Sequence, residues 1–247
     1  MDKSLIFSKL QKRAEELEII ENLYEDDIFA NYYRSIVNQD ELLEDDIDSY
    51  KQFFDKSMPI LEIGSGTGRI FNPLFEDGYN IFGLEPAKEM AKYITNEGRD
   101  RIYSLTLQEI GNLPQKNIEV IIIPATSVSL FTHGDFYDFL KKIKETQPHI
   151  KRIVFDFLKE SFFESTAGLI QSSQIDGEKF YNVNFFDQSE ERIIYNLVSP
   201  QKIGFSVKYS YSYEILEKLF KESGLRLKII KDLDNYAMVE GVFHGEE

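Results

Sequence analysis

Residues 61–69 read Leu61-Glu62-Ile63-Gly64-Ser65-Gly66-Thr67-Gly68-Arg69, and this stretch decides the fold. With Pro59 and Ile60 in front, it is a short apolar run that ends in glycines, and a helix is expected behind it over 69–76. Glycines at a strand-to-helix turn let the backbone approach a ligand with no Cβ in the way. The helix start offers free N–H groups to a carboxylate or phosphate. A tight turn alone would also explain a glycine cluster, so the context matters. A second apolar run over 79–84 ends at Glu85, about 20 residues past the first glycine, where a carboxylate at a strand end accepts both hydroxyls of a ribose. The spacing departs from the dinucleotide pattern G-x-G-x-x-G, because position 69 is Arg. No Walker lysine follows the glycines, so a P-loop nucleotide site is unsupported.

Working outward, apolar runs alternate with helical patterns: a helix over 87–96, strands over 102–105 and 118–123, a helix over 135–146 and a strand over 152–157. This alternation predicts an α/β fold, a mostly parallel sheet with helices on both faces. After residue 160 the period changes to that of strands, over 167–175, 179–187, 191–198 and 204–211. Asp176-Gly177-Glu178 and Asp187-Gln188-Ser189 are expected turns, so this region reads as an antiparallel insertion. A helix over 212–223 capped by Gly224 and strands over 225–231 and 237–243 complete the series. Ahead of Pro59, helices are expected over 4–22, 26–37 and 40–55.

The composition narrows the function. The 247 residues are 42% hydrophobic, enough for a core, with Phe 20, Tyr 14 and no Trp. No cysteine is present, which excludes disulfides, thiolate metal sites and a cysteine nucleophile. Three separated histidines, His133, His149 and His244, make a histidine metal site a poor fit, and no metal is expected. The formal net charge of −15 repels nucleic acid and anionic membranes. The N-terminal 20 residues lack an apolar signal core and no run is long enough to span a bilayer, so a cytoplasmic location is expected.

The segment Leu61–Arg69 resembles motif I of class I S-adenosylmethionine-dependent methyltransferases, small-molecule type, similar to glycine and nucleotide-sugar N-methyltransferases. Gly83-Leu84-Glu85-Pro86 resembles the second-strand end of that family, and Lys88-Glu89-Met90 the helix start after it. Leu113-Pro114 with 118–124, Ser127-Val128-Ser129-Leu130, Phe155-Asp156-Phe157, the 211–216 stretch and Ser223-Gly224-Leu225 are similar to later landmarks in the same order. The resemblance covers about residues 24–240. It implies a Rossmann-like seven-stranded sheet organised as a helical N-terminal lid (1–57), a cofactor-binding core (58–160), an antiparallel β insertion (161–211) and a C-terminal completion of the core (212–247). It implies S-adenosyl-L-methionine as cofactor, with S-adenosyl-L-homocysteine as product.

Carried over residue by residue, Gly64, Ser65, Gly66, Gly68 and Arg69 form the loop facing the methionine part, and Glu62 meets its amino group. Glu85 clamps the ribose, with Pro86 or Ala87 against the adenine. Glu109 and Ile110 fall where the adenine amino group is received, although the family often has Asp there. Pro124 sits beside the sulfonium. Tyr24 and then Tyr33 are the tyrosines expected to reach the cofactor from the lid; packing on the core is the plainer reading of each. His133 is a candidate base, with an ordinary helix-start histidine as the alternative.

The acidic run Asp40, Glu41, Glu44, Asp45, Asp46, Asp48 reads as a solvated helix face, or else as an attractor of a cationic substrate. Asp156 and Glu164 are candidates to hold an amine, and Phe180–Phe186 reads as packing of the insertion. The expected reaction is methyl transfer to a small molecule or short peptide, N-methylation slightly ahead of O-methylation, since a neutral amine needs no strong base. A non-catalytic methyltransferase-like binding protein is the alternative, and a homodimer is left open.

Overall fold

The computed structural model describes residues 3–37, 46–187, 190 and 192–243. Residues 40–45 of the acidic run, the expected turn at 188–189 and His244 lie outside them. The chain starts with two 3-10 turns, Lys3–Leu5 and Ser8–Leu10, a short helix α1 (Gln11–Ala14) and strand β1 (Glu18–Ile20). A 3-10 turn, Leu23–Glu25, leads into α2 (Asp27–Val37), and α3 spans Asp46–Lys51. Strands and helices then alternate: β2 (Ile60–Ile63), α4 (Phe71–Glu76), β3 (Ile81–Leu84), α5 (Lys88–Ala91), β4 (Ile102–Tyr103), β5 (Val120–Ile123), α6 (His133–Thr146) and β6 (Arg152–Leu158). Helix α7 (Glu160–Thr166) precedes β7 (Gln171–Ile175), β8 (Glu178–Asp187), β9 (Arg192–Val198) and β10 (Lys202–Lys208). Helix α8 (Tyr213–Ser223), β11 (Leu225–Asp232) and β12 (Tyr236–Phe243) finish the fold.

One sheet has the order β11-β12-β6-β5-β2-β3-β4. Its pairs are parallel from β6 to β4 and antiparallel at β12. Strands β2 and β5 are buried along their whole length, which is why Ile60–Ile63 and Val120–Ile123 read as unbroken apolar runs. Alternate residues serve opposite faces. Leu61, Ile63, Ile121, Ile123, Ile153 and Phe155 pack on one side with α6 and α8, while Ile60, Val120, Ile122 and Val154 pack on the other with Tyr50 and Phe71. Strand order reverses between β2 and β5, so a crevice opens at their carboxyl ends, where ligands of such sheets bind.

The second sheet has the order β1-β10-β9-β8-β7, antiparallel except for β1, which runs parallel to β10. Asp176 and Gly177, both at positive φ, form the two-residue β7–β8 turn. The helix expected over 4–22 is therefore replaced by two 3-10 turns, the four-residue α1 and strand β1, and the N-terminal region is only partly helical. The open edge of β10 offers backbone hydrogen bonds that Glu18–Ile20 takes, and this pairing overrides the local helical pattern. The apolar spacing still has meaning, because Ile6, Leu10 and Ala14 pack on Val183, Val198 and Ile203. Asn196, fully buried in β9, accepts from the Phe7 N–H and donates to the Leu5 carbonyl, both at 2.8 Å.

On the other face of the sheet, α2 is fastened by Asp26. Its carboxylate accepts from the N–H groups of Ile28 and Phe29 and pairs with Lys202 Nζ at 2.5 Å. Gly204 in β10 permits this docking. A Cβ there would lie 2.5 Å from Leu23 Cδ2 and 2.7 Å from Phe29 Cε2. Gly204→Ala is expected to destabilise the fold by about 1–3 kcal/mol, the usual scale of overpacking. Hydrogen exchange should localise the loss to residues 23–33 ahead of the parallel sheet; uniform exchange changes would count against this docking role.

Candidate active site

Strand β2 ends at Ile63, and the next five residues turn back over the sheet. Gly64, Gly66 and Gly68 all hold positive φ, at 72°, 54° and 83°. That left-handed backbone is open to glycine at no steric penalty. The N–H groups of Gly64 and Ser65 both reach the Leu84 carbonyl, at 2.9 and 3.0 Å, tying the loop to the end of β3. Glu85 completes the tie. Its Oε2 accepts from Gly66 N–H at 2.7 Å and its Oε1 from Ala87 N–H at 2.8 Å. Burial pushes the Glu85 carboxyl above the usual carboxylate range, and those two N–H bonds pull it partly back.

The crevice is lined by Tyr33, Glu62, Gly64, Ser65, Gly66, Thr67, Arg69, Ile70, Pro124 and Ala125, and holds about 20 Å³. Glu62 is buried at the end of β2. Tyr33 reaches in from α2; a Cβ on Gly66 would lie 3.9 Å from its ring. Tyr24 meets Tyr33 edge-on, ring centres 6.2 Å apart, and both pack with Ala30, Ala87 and Met90. Tyr24 also lies beside Ser206 of β10. Burial raises both phenols above the ordinary tyrosine value, so both stay protonated at neutral pH.

The remaining expected residues are placed elsewhere or used differently. Pro86 is exposed beside the buried Ala87. Glu109 lies on the exposed 3-10 turn Leu107–Asn112, where its carboxylate forms a capping box with Thr106. That contact holds the Glu109 carboxyl below its ordinary value. Ile110 is fully buried in the core against α6. His133 is outside the crevice: Nε2 donates to the Ser210 carbonyl at 2.8 Å and the ring meets Tyr211 edge-on. Asp156, a candidate amine contact by sequence, is fully buried and accepts from Tyr50 Oη at 3.0 Å and from the Thr126 N–H.

Asp156 and Tyr50 hold a strained turn that sequence reasoning did not find. Directly after Pro124, Ala125 and Thr126 take φ of 55° and 56°. Such backbone costs of order 1–3 kcal/mol per residue and persists only where neighbours enforce it. Tyr50, also fully buried, reaches the Ile123 carbonyl at 3.4 Å, so one helix side chain and one carboxylate brace the end of β5. No local motif marks Tyr50; an acid inside an apolar strand, Phe155-Asp156-Phe157, was the available signal for its partner.

The sequence profile described as methyltransferase domain matches residues 61–147. Residues 61–147 are thus similar to a methyltransferase domain. The match begins in β2, takes in the glycine loop and Glu85, and ends just past α6. An S-adenosylmethionine-dependent methyltransferase from Clostridium acetobutylicum is similar in fold, with TM-score 0.67, 16% identity and coverage of 91% of this chain and 100% of that one. DesVI of Streptomyces venezuelae superposes with TM-score 0.68 at 14% identity, over 89% of this chain and 100% of that one. CalS10, an amino pentose methyltransferase from Micromonospora echinaspora solved with S-adenosylmethionine bound, gives 0.61 at 14% identity, over 90% and 99%. These likenesses extend well beyond residues 61–147 and establish the fold. No curated protein sequence matches. Among the described residues, no helix is long and apolar enough to cross a membrane, and no group of three or more His, Asp or Glu could hold a metal ion.

The braced turn gives a test. Asp156→Ala removes the acceptor for Tyr50 and Thr126 and should destabilise the fold by about 1.5–3 kcal/mol, the scale of a hydrogen bond to a charged group. Asp156→Asn keeps one acceptor oxygen and should lose less. Urea unfolding of both variants measures this; equal stability of the alanine variant and the parent would remove the bracing role.

Proposed function

We propose that the protein is an S-adenosylmethionine-dependent methyltransferase acting on a small-molecule acceptor, with an amine favoured as the accepting group. The observation that carries the reading is the pairing of the bare glycine loop with Glu85 inside a methyltransferase domain. The residues present fit the cofactor. Three left-handed glycines keep side chains off the loop, Glu62 offers a carboxylate to an ammonium group, and Glu85 retains lone pairs for the ribose hydroxyls. When bound, S-adenosylmethionine supplies an activated methyl group, and the protein's task is chiefly alignment.

The chain's own groups accomplish that alignment from two sides. The glycine loop, Glu62 and Glu85 hold the cofactor side, and Pro124 with the braced turn forms the wall beyond it. At about 20 Å³ the crevice has room for about one water, so cofactor binding requires it to widen, and Tyr33, which lines it beside Gly66, is the side chain placed to give way. Tyr24, Tyr33 and α2 thus act as a lid that excludes water around the reacting atoms. The amine preference follows from the lining. Among the described residues around the crevice there is no histidine, and His133 is engaged with Ser210. A hydroxyl acceptor would need a strong base there, whereas a neutral amine does not.

Titration calorimetry tests the reading. Both S-adenosylmethionine and S-adenosylhomocysteine should bind, and Glu85→Ala should weaken each by about 1.5–3 kcal/mol. The pH dependence has a definite sign. The ribose hydroxyls donate to the ionised Glu85, whose pKa is raised by burial. Affinity should be flat above that raised pKa and fall as the pH drops through it, with proton release on binding within the window. No binding of either compound, or full affinity in a folded Glu85→Ala variant, sinks the assignment. Tyr24→Ala should lower turnover more than it lowers melting temperature; the reverse would make Tyr24 a core residue.

A further inference from the structure

The inner face of the second sheet carries a row of polar side chains. In the sheet register Asn184 lies opposite Tyr195, and Tyr195 opposite Ser206, so all three share one face. Phe186, Ile193 and Lys208 form the next row on the same face. This is the face on which α2 docks. Ser206 lies beside Tyr24, and Tyr195 beside Tyr32. The tyrosines connect the row to the crevice, since Tyr24 touches Tyr33 and Tyr33 covers Gly66.

Lys208 is the odd member. Its ammonium sits 4.8 Å from the centre of the Tyr195 ring, and among the described residues no carboxylate pairs with it. The chain next to Lys208 leads straight to the crevice. Tyr209 N–H donates to the Ser129 carbonyl at 2.7 Å, and Ser127, in the same 3-10 turn Ser127–Leu130, stands 3.4 Å from where a Cβ on Gly64 would be. A buried cation on a ring face with no carboxylate partner is a costly arrangement unless a ligand completes it.

We propose that Lys208 holds an anionic oxygen group, a carboxylate or a phosphate, on the acceptor molecule. The inference rests on the methyl-transfer reading, and it adds a charge requirement to it: the acceptor carries an anion on the side away from its amine. Tyr195 backs the ammonium through its ring, Ser206 lies two residues earlier on the same face of β10, and Phe186, 38% exposed, offers an apolar edge in the same row. Burial lowers the Lys208 pKa to about 8, so the side chain is mostly charged at neutral pH, and a bound anion would raise that value again.

The test uses the full-length protein labelled with carbon-13 at lysine Cε, with the Lys208 signal assigned from its absence in Lys208→Met. Inorganic phosphate and acetate are titrated separately at constant ionic strength, with chloride as the screening control. A saturable shift of the Lys208 signal with one of the two supports the inference and says which anion is read. Lys208→Met should weaken that anion's stabilisation of the fold about tenfold or more in apparent affinity, and Lys208→Arg should retain most of it. No shift with either anion, or a shift matched by chloride, overturns the inference. S-adenosylhomocysteine binding is measured on the same samples. Equal binding by the parent and Lys208→Met without an anion response removes only this inference. A Lys208-dependent anion response without S-adenosylhomocysteine binding supports the anion site while removing the cofactor reading.

Discussion

One carboxylate links the two halves of the crevice. Glu85, at the end of β3, is buried and accepts hydrogen bonds from Gly66 on the loop after β2 and from Ala87 at the start of α5. Without a Cβ at Gly66 the loop can lie close to that carboxylate, and with the carboxylate in place the loop keeps its left-handed turns. The Leu84 carbonyl adds two further bonds to the same loop. The geometry of the candidate site is thus set by backbone groups of the parallel sheet, and Tyr24 and Tyr33 pack on a surface that already exists.

The opposite wall is built by a different principle. There the backbone after Pro124 is strained, and two buried side chains from distant segments, Tyr50 and Asp156, hold it. A site with one relaxed and one braced wall can yield on the side of α2 while keeping the end of β5 fixed. That division suits a reaction in which alignment matters more than acid–base power.

Much of the core was legible because its signals are local. The glycines, the apolar strand before them and the acid at 85 lie in one short window, and parallel strands buried on both faces read as apolar runs. What escaped depends on long-range pairing. Residues 18–20 show helical spacing locally but become a strand because β10 has an open edge, and nothing within the segment announces that edge. Glu109 was expected at the ligand by position, yet Thr106 three residues earlier makes it half of a capping box, a signal present in the sequence as T-x-x-E. Tyr50 and Lys208 owe their surroundings wholly to strand register and helix docking. Alternation assigns a strand residue to a face but does not say what that face meets.

The threading of the N-terminal segment has a consequence for the order of assembly. Leu5 is bonded to Asn196, 191 positions along the chain, and β1 completes its pairing only with β10. Contacts of such separation close late, because a long loop must be ordered before they return any stability. The parallel sheet through β6 can form earlier from neighbouring units. During synthesis, residues 5–33 would therefore wait beside a nearly finished sheet until residue 208 has emerged. The tyrosines that cover the crevice are made first and seated last, so competence at the site reports completion of almost the whole chain.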